Sequence, residues 1–309
     1  MKDHTAFKHP YLAWLFLTPT LLILLIFLYY PAVQAVVLSL HRANVFLGTR
    51  KFVGLENYRK LFSGVLAPEY LQVIAQSFIF SLLVVVLGLS ISVALATLAS
   101  QKIRGARIYR LLLIWPFALS PAVAGTVFLF LFNPEIGSVN QLLNAVFGVK
   151  PRWLDTPSLA FSLVVSAAIW KNLGYNIVFY LAALQNIPQY LQEAAAIDGA
   201  NAFQRFFRII LPMLSPMTFF LVFTNLTFSF FDSFGIIDII TRGGPIGPAP
   251  FNHAGLTTTM IYQVSEDGFS GSGNTGFAAA LGNIILLIVA TITFLQFRFG
   301  SRNVHYGTN

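Results

Sequence analysis

The 309-residue chain contains no cysteine, which excludes disulfides, thiolate metal centres and thiol nucleophiles and leaves the redox compartment unreadable. Charge is scarce too: Asp, Glu, Lys and Arg make up 10% of the residues, where a soluble domain carries about 25%. No Gly-x-x-x-x-Gly-Lys-Ser/Thr loop is present to cradle nucleotide phosphates. The five histidines, His4, His9, His41, His253 and His305, are too dispersed for a metal centre. The chain is therefore expected to carry no enzymatic site and to bind no cofactor itself. Low-complexity tracts and solenoid periods are missing as well, so residues 1–309 read as a single domain.

What fills the composition is apolar. Hydrophobic residues reach 56%, with 31 phenylalanines, and the mean hydropathy is +0.73. Crossing a hydrocarbon core of about 30 Å takes roughly 20 apolar helical residues. Six windows qualify, near 12–38, 77–99, 110–132, 160–184, 213–235 and 277–298, which predicts an all-α polytopic membrane protein. The first window resembles a signal peptide, with Lys2 and Lys8 ahead of it. Its length, and Tyr29, Tyr30 and Pro31 where a cleavage site needs small residues, predict a retained span.

Six spans put both termini on one side. That side would hold ten basic and three acidic residues, net +7, against eight and seven, net +1, on the other. The short loop 100–109, with Lys102, Arg104 and Arg107 and no acid, votes most strongly for the cytoplasm. Loops 41–76, 133–159 and 236–276 then lie outside. The pI of 9.8 reflects this topology, and nucleic acid is not implied.

Inside the windows, Gly88, Ser92 and Ala96 recur at four-residue spacing, a stripe that lets another helix approach. Pro116 and Pro121 interrupt the third window, as a kink or as the lining of a pathway. Lys171, Asn172, Tyr175 and Asn176 share a stripe in the fourth window, and Asn225 and Asp232 share a face of the fifth. Polar groups at that depth face a cavity or a partner. Lys171 and Asp232 either neutralise each other, or Lys171 attracts an anionic solute.

Segment 186–212 is too polar to stay in the membrane and is patterned as two short helices. Pro188 suits a first turn and Ala194, Ala195 and Ala196 propagate it. Asp198 and Gly199 supply a stop. Asn201 caps a second helix on which Phe203, Phe206, Phe207 and Ile210 share one face, and Leu211 and Pro212 end it. Two capped helices with exposed apolar residues make a docking surface; an amphipathic loop resting on lipid headgroups is the alternative.

Glu193-Ala194-Ala195, Gly199 four residues later, and Ile209-x-Leu211-Pro212 match without a gap the EAA pattern of ABC importer permeases, which this chain resembles. Phe52-Val-Gly-Leu-Glu-Asn-Tyr58, Asn186-Ile-Pro188 and Thr241-Arg-Gly-Gly-Pro245 look like the carbohydrate-type branch of binding-protein-dependent importers. Within it, the run from Ala118 through Phe132-Asn133-Pro134 and Phe230-Phe-Asp-Ser-Phe234 are similar to the A-type permeases of sn-glycerol-3-phosphate importers. Between Pro245 and Met260 the chain departs from the family with a turn-rich insertion, either a tolerated surface loop or a distinct docking contact.

The resemblance implies an inner-membrane subunit that works by alternating access. Its partners would be a second permease, two cytoplasmic ATPases that carry ATP and Mg, and an external solute-binding protein. It implies that an EAA helix over 188–198 inserts into the ATPase, with Tyr190, Leu191, Glu193 and Ile197 in contact and Gly199 setting its angle. The solute implied is glycerol-3-phosphate or a related small polyol, with a sugar or oligosaccharide as the alternative. An ion-coupled carrier would need intramembrane carboxylates, and Asp232 is the only acid well inside a window. A membrane protein of assembly or sensing is the remaining class.

Overall fold

The computed structural model describes residues 10–101 and 105–300, except the side chains of Pro10, Ala13, Phe299 and Gly300. Lys2, Asp3, Lys8, Lys102, Arg104, Arg302, His4, His9 and His305 lie outside the described residues. In chain order the elements begin with α1 (Pro10–Leu24), a π turn, α2 (Tyr30–Ser39), β1 (His41–Asn44), β2 (Thr49–Phe52) and α3 (Glu56–Phe62). They continue with α4 (Ala67–Ala99), α5 (Ala106–Ile114), a 3-10 turn, α6 (Pro121–Leu131), α7 (Ser138–Phe147) and α8 (Pro157–Gln185). Last come α9 (Gln189–Ile197), α10 (Ala202–Arg205), a π turn, α11 (Leu211–Met213), α12 (Ser215–Phe231), α13 (Phe234–Ile240), α14 (Met260–Ser265) and α15 (Thr275–Leu295).

Three helical stretches, Trp14–Ser39, Ala67–Ala99 and Thr275–Arg298, are long and apolar enough to cross a membrane, and there are up to five if each of two bent pairs counts as one span. Helix α8, 29 residues long, is not among them; Lys171, Asn172 and Asn176 dilute its middle. The all-α expectation needs one correction, the two-stranded antiparallel hairpin β1–β2.

Several helix ends differ from the window bounds. Helix α4 starts at Ala67, ten residues before its window, because Pro68 opens it and Glu69, Gln72 and Gln76 lower hydropathy without breaking a helix. The third window is no gentle kink but a corner of 108°. Pro116 sits in the 3-10 turn, Leu119 and Ser120 are extended, and Ser120 caps α6, accepting from the Val123 N–H at 3.3 Å ahead of Pro121. In the fifth region the second short helix does not end at Pro212. It runs to Met213 and turns 70° into α12, which stops at Phe231 instead of 235.

The chain divides into two compact units. The first comprises 1–63 and 264–284. Here the Asn57 amide donates to the carbonyls of Ser39 (2.7 Å) and His41 (2.9 Å), tying the end of α2 to the hairpin. Glu56 accepts from Arg42 and Lys60, and these two cations hold its carboxyl below the ordinary carboxylate value. The Phe52–Tyr58 motif therefore braces a corner.

The second unit comprises 64–263 and 285–309. Its centre is α4 against α8: Gly88, Ser92 and Ala96 are buried, and a side chain at Gly88 would meet Ile169 at 3.8 Å. The expected small-residue stripe thus packs on α8. Val85, Leu89 and Val93 join Ile177, Tyr180 and Leu181 in one cluster. The insertion 245–260 is tied down in this unit: the Gln72 side chain of α4 donates to the Ala254 carbonyl (3.0 Å) and accepts from the His253 N–H (2.8 Å). Helix α8 also receives the corner of the third window, where Gly174 lies against the Ile114 carbonyl so closely that a Cβ would collide with it. Gly174→Val should therefore cost about 1–3 kcal/mol by overpacking and lower the melting temperature in detergent; a wild-type melting curve would show that these helices do not touch.

Candidate functional site

Two features of the second unit gather the residues singled out in the sequence. The first is the helix–turn–helix 186–212. Pro188 stands just before α9, with extended backbone, so the helix runs from Gln189 to Ile197. Asp198 is its last cap, Gly199 adopts φ +81°, and the N–H groups of Gly199 and Ala200 return to the carbonyls of Ala196 (3.1 Å) and Ala195 (2.9 Å). This is the left-handed closure that glycine makes without a Cβ penalty. Asn201 then starts α10 with a reciprocal capping box: its side chain accepts from the Gln204 N–H (2.8 Å), and its own N–H donates to the Gln204 side chain (2.9 Å). The turn between the helices is thus fixed by four hydrogen bonds and one positive φ.

The ends of this segment are anchored. Ile187, Ile210 and Leu214 are buried in the same cluster as Val93, Ala96 and Tyr180. What lies between them is open: Tyr190 is 66%, Ile197 87% and Phe203 72% exposed. Phe203 and Phe207 pack ring to ring at 4.5 Å. Leu191 and Ala195 are half-buried, whereas Glu193, Ala194, Asp198, Gly199 and Pro212 are exposed, and Leu211 packs against the cluster. Glu193 accepts from the Gln189 amide at 2.6 Å, one turn earlier. It lines a polar cleft of about 750 Å³ together with Gln101, Gln185, Asn186, Gln192 and Arg205. Neither the cleft nor the Gln189–Glu193 bond was read from sequence, though four-residue spacing on a helix is the signal for such a pair.

The second feature joins α8 to α12 by three polar rungs. The Lys171 Nζ donates to Asp232 Oδ2 at 2.8 Å. Asn176 and Asn225 exchange two amide bonds, 3.1 and 2.7 Å, and Asn225 also donates to the Leu221 carbonyl. The Tyr180 hydroxyl donates to Thr218 Oγ1 at 3.2 Å. Of the sequence candidates, Lys171, Asn176, Asn225 and Asp232 are therefore brought together in pairs. Tyr175 instead joins an aromatic group, with ring centroids 5.1 Å from Phe117, 5.3 Å from Phe228 and 4.7 Å from Phe179. Asn172 is buried with its Oδ1 unpartnered among the described residues.

Phe117 was missed by sequence reasoning. It sits in the corner of the third window, 5.6 Å from the Lys171 ammonium, and its position between Pro116 and Pro121 was the available signal. A cation, a carboxylate, two amides and four aromatic rings thus lie between α8, α12 and that corner.

Residues 87–304 match the family model described as binding-protein-dependent transport system inner membrane component. The chain is 42% identical over 300 residues, 97% of either chain, to the sn-glycerol-3-phosphate transport system permease protein UgpA of Pectobacterium atrosepticum. It is 41% identical over 302 residues to the protein of that name from Agrobacterium fabrum, covering 97% of this chain and 98% of the other. Among solved structures it is similar to a bacterial ABC transporter involved in import of the acidic polysaccharide alginate, with a TM-score of 0.78 at 22% identity over 94% of this chain and 96% of that one. A second structure, that transporter in complex with alginate pentasaccharide-bound periplasmic protein, gives 0.79 at 21% identity over 94% of both. At these identities the likeness concerns the fold.

The amide pair yields a direct prediction. Asn225→Leu leaves the buried Asn176 amide without its partner and should destabilise the chain by about 1–3 kcal/mol, while the double change Asn176→Leu with Asn225→Leu recovers most of that loss. Thermal unfolding of the four proteins measures the coupling; additive losses would mean that the two amides do not pair.

Proposed function

We propose that this chain, which belongs to the binding-protein-dependent transport system inner membrane component family, is a translocation subunit of an ATP-driven importer whose solute is glycerol-3-phosphate or a related small polyol. The observation that carries the reading is the 186–212 segment: the EAA pattern folds as a rigid, doubly capped helix pair, rooted in the core and bare at Tyr190 and Ile197. Bare apolar side chains on a fixed turn fit a cleft of another subunit. Each could contribute about 1.5–3 kcal/mol if fully buried there.

In this reading six spans cross the inner membrane: α1–α2, α4, α5–α6, α8, α12 and α15, as one permease domain with both termini in the cytoplasm. Two ATPase subunits hold ATP and Mg, one gripping α9 through Tyr190, Leu191, Glu193 and Ile197. A second permease completes the pathway, and an external binding protein delivers solute to the loops around 41–76 and 236–276. ATP-driven closure of the ATPases turns the helix pair, and α8 and α12 turn with it because Ile187 and Leu214 root the pair between them. Lys171, Asn172, Tyr175, Asn176, Asn225 and Asp232 line the solute's way.

A sugar or oligosaccharide is the second reading, favoured by the rings of Phe117, Tyr175 and Phe228 beside the polar groups. The solute that stimulates ATP hydrolysis by the reconstituted complex with its binding protein decides between the two. An ion-coupled carrier is disfavoured, since Asp232 is already neutralised by Lys171.

Two variants test the mechanical reading. Ile197→Asp should weaken ATPase association by about 10-fold or more, the equivalent of roughly 1.5 kcal/mol, in a pull-down from detergent. Gly199→Val forces a β-branched residue into a left-handed backbone, a strain of about 1–2 kcal/mol, and should abolish uptake while the chain remains in the membrane. Undiminished uptake by both would remove the docking role. The cysteine-free background also permits a topology test: with the ATPase subunits stripped off, Ile197→Cys should react with an impermeant maleimide in inside-out vesicles and not in intact spheroplasts.

A further inference from the structure

Lys171 and Asp232 are unequally placed. The lysine side chain is 7% exposed and the carboxylate 44%, so the carboxylate is the more accessible partner. Asp232 caps the C-terminal end of α12 with φ −104° and ψ 7°, outside regular helix, two residues before α13 begins at Phe234. Lys171 alone among the described cations pairs with it. The ammonium, by contrast, is buried in α8 and faces the Phe117 ring at 5.6 Å. The cation is enclosed and the carboxylate is open.

Each member of the pair is followed in sequence by a buried residue whose side-chain oxygen has no hydrogen-bond partner among the described residues: Asn172 Oδ1 after Lys171, and Ser233 Oγ after Asp232. These two residues are only 6% and 3% exposed. Unsatisfied buried oxygens are uncommon, and of the four among the described residues these two directly follow the pair in sequence.

We infer that Asp232 is a resident stand-in for the solute's anionic group: it holds Lys171 until a phosphate displaces it, and this exchange of partners selects phosphorylated polyols over neutral ones. The inference rests on the solute reading proposed above. A phosphate monoester carries about −1.5 to −2 charges near pH 7 against −1 for the carboxylate, so at equal distance it attracts the ammonium up to about twice as strongly. A neutral sugar has no such advantage and leaves the pair closed. The hydroxyls of a phosphorylated polyol supply donors to Asn172 Oδ1 and partners to Ser233 Oγ, which a bare inorganic phosphate satisfies less well.

The test uses the full complex in proteoliposomes with its binding protein, comparing wild type, K171M, D232N and the double variant K171M/D232N. Partner exchange predicts that D232N transports glycerol-3-phosphate with a KM several-fold lower and becomes sensitive to inhibition by inorganic phosphate. K171M and the double variant should both lose about 30-fold or more in kcat/KM for that solute. A merely neutralising pair predicts the opposite: both single variants fail and the double variant, whose charges cancel, recovers; that result overturns the inference. A second measurement needs no variant. In the wild-type complex trapped with vanadate, carbodiimide labelling of Asp232, read by mass spectrometry, should rise when glycerol-3-phosphate is present, and unchanged labelling also overturns it. Absence of glycerol-3-phosphate uptake by wild type would instead remove the solute reading, whereas wild-type uptake alongside a fully active double variant removes only the exchange.

Discussion

A polar side chain in hydrocarbon has no water to fall back on, so its partner must come from the protein. Where α8 faces α12, Lys171, Asn176 and Tyr180 meet Asp232, Asn225 and Thr218, and this pairing fixes how the two helices lie. Most of what matters in the second unit is placed by it. Helix α8 carries the stripe against which α4 packs, and its Gly174 admits the corner of the third window. Its end at Gln185 leads straight into the helix pair 186–212, and that pair returns through Leu214 to α12. The two helices joined by polar rungs are the same two that flank the helix pair 186–212 and share its buried cluster.

Much of this was written in the residues, because membranes and caps leave strong local signals. Asp198-Gly199 and Asn201 marked a stop and a start, and the backbone delivers both, down to the left-handed glycine and the capping box. The stripe of Gly88, Ser92 and Ala96 announced a close helix contact. The pairing of Lys171 with Asp232 was one of two readings left open, since a lysine in a span can serve a partner or an anion, and only coordinates show that a carboxylate lies 2.8 Å away.

What was not legible depends on events between distant segments. Two prolines announce an interruption, but its 108° angle is set by what fills the corner, and that is α8 with its glycine at 174. Hydropathy also blurs the ends of helices: Gln72 and Gln76 look like loop residues and are helix residues, one of them pinned to an insertion some 180 positions away. The hairpin β1–β2 has only four residues per strand, too few for alternation to stand out, and depends on Asn57 for its bracing. Phe117 was marked only by its place between Pro116 and Pro121; as an aromatic residue in an apolar run it is otherwise indistinguishable from its surroundings, and its approach to Lys171 depends on the angle of the corner.

The same logic explains why the most exposed parts of the second unit are the most informative. Apolar groups without cover on a membrane chain face lipid, and in a span that is expected. Tyr190, Ile197 and Phe203 are bare on a segment too polar to enter lipid, held by a turn that cannot relax. Exposure combined with rigidity is costly to a free chain, since the apolar area stays in water and the fixed backbone has lost its entropy beforehand. That loss is recovered only when a partner covers the surface, and a surface already ordered binds without further ordering cost. Preorganisation at α9 and partner pairing between α8 and α12 are thus two forms of one constraint: each holds side chains in a fixed arrangement, apolar and exposed in the first case, polar and paired in the second.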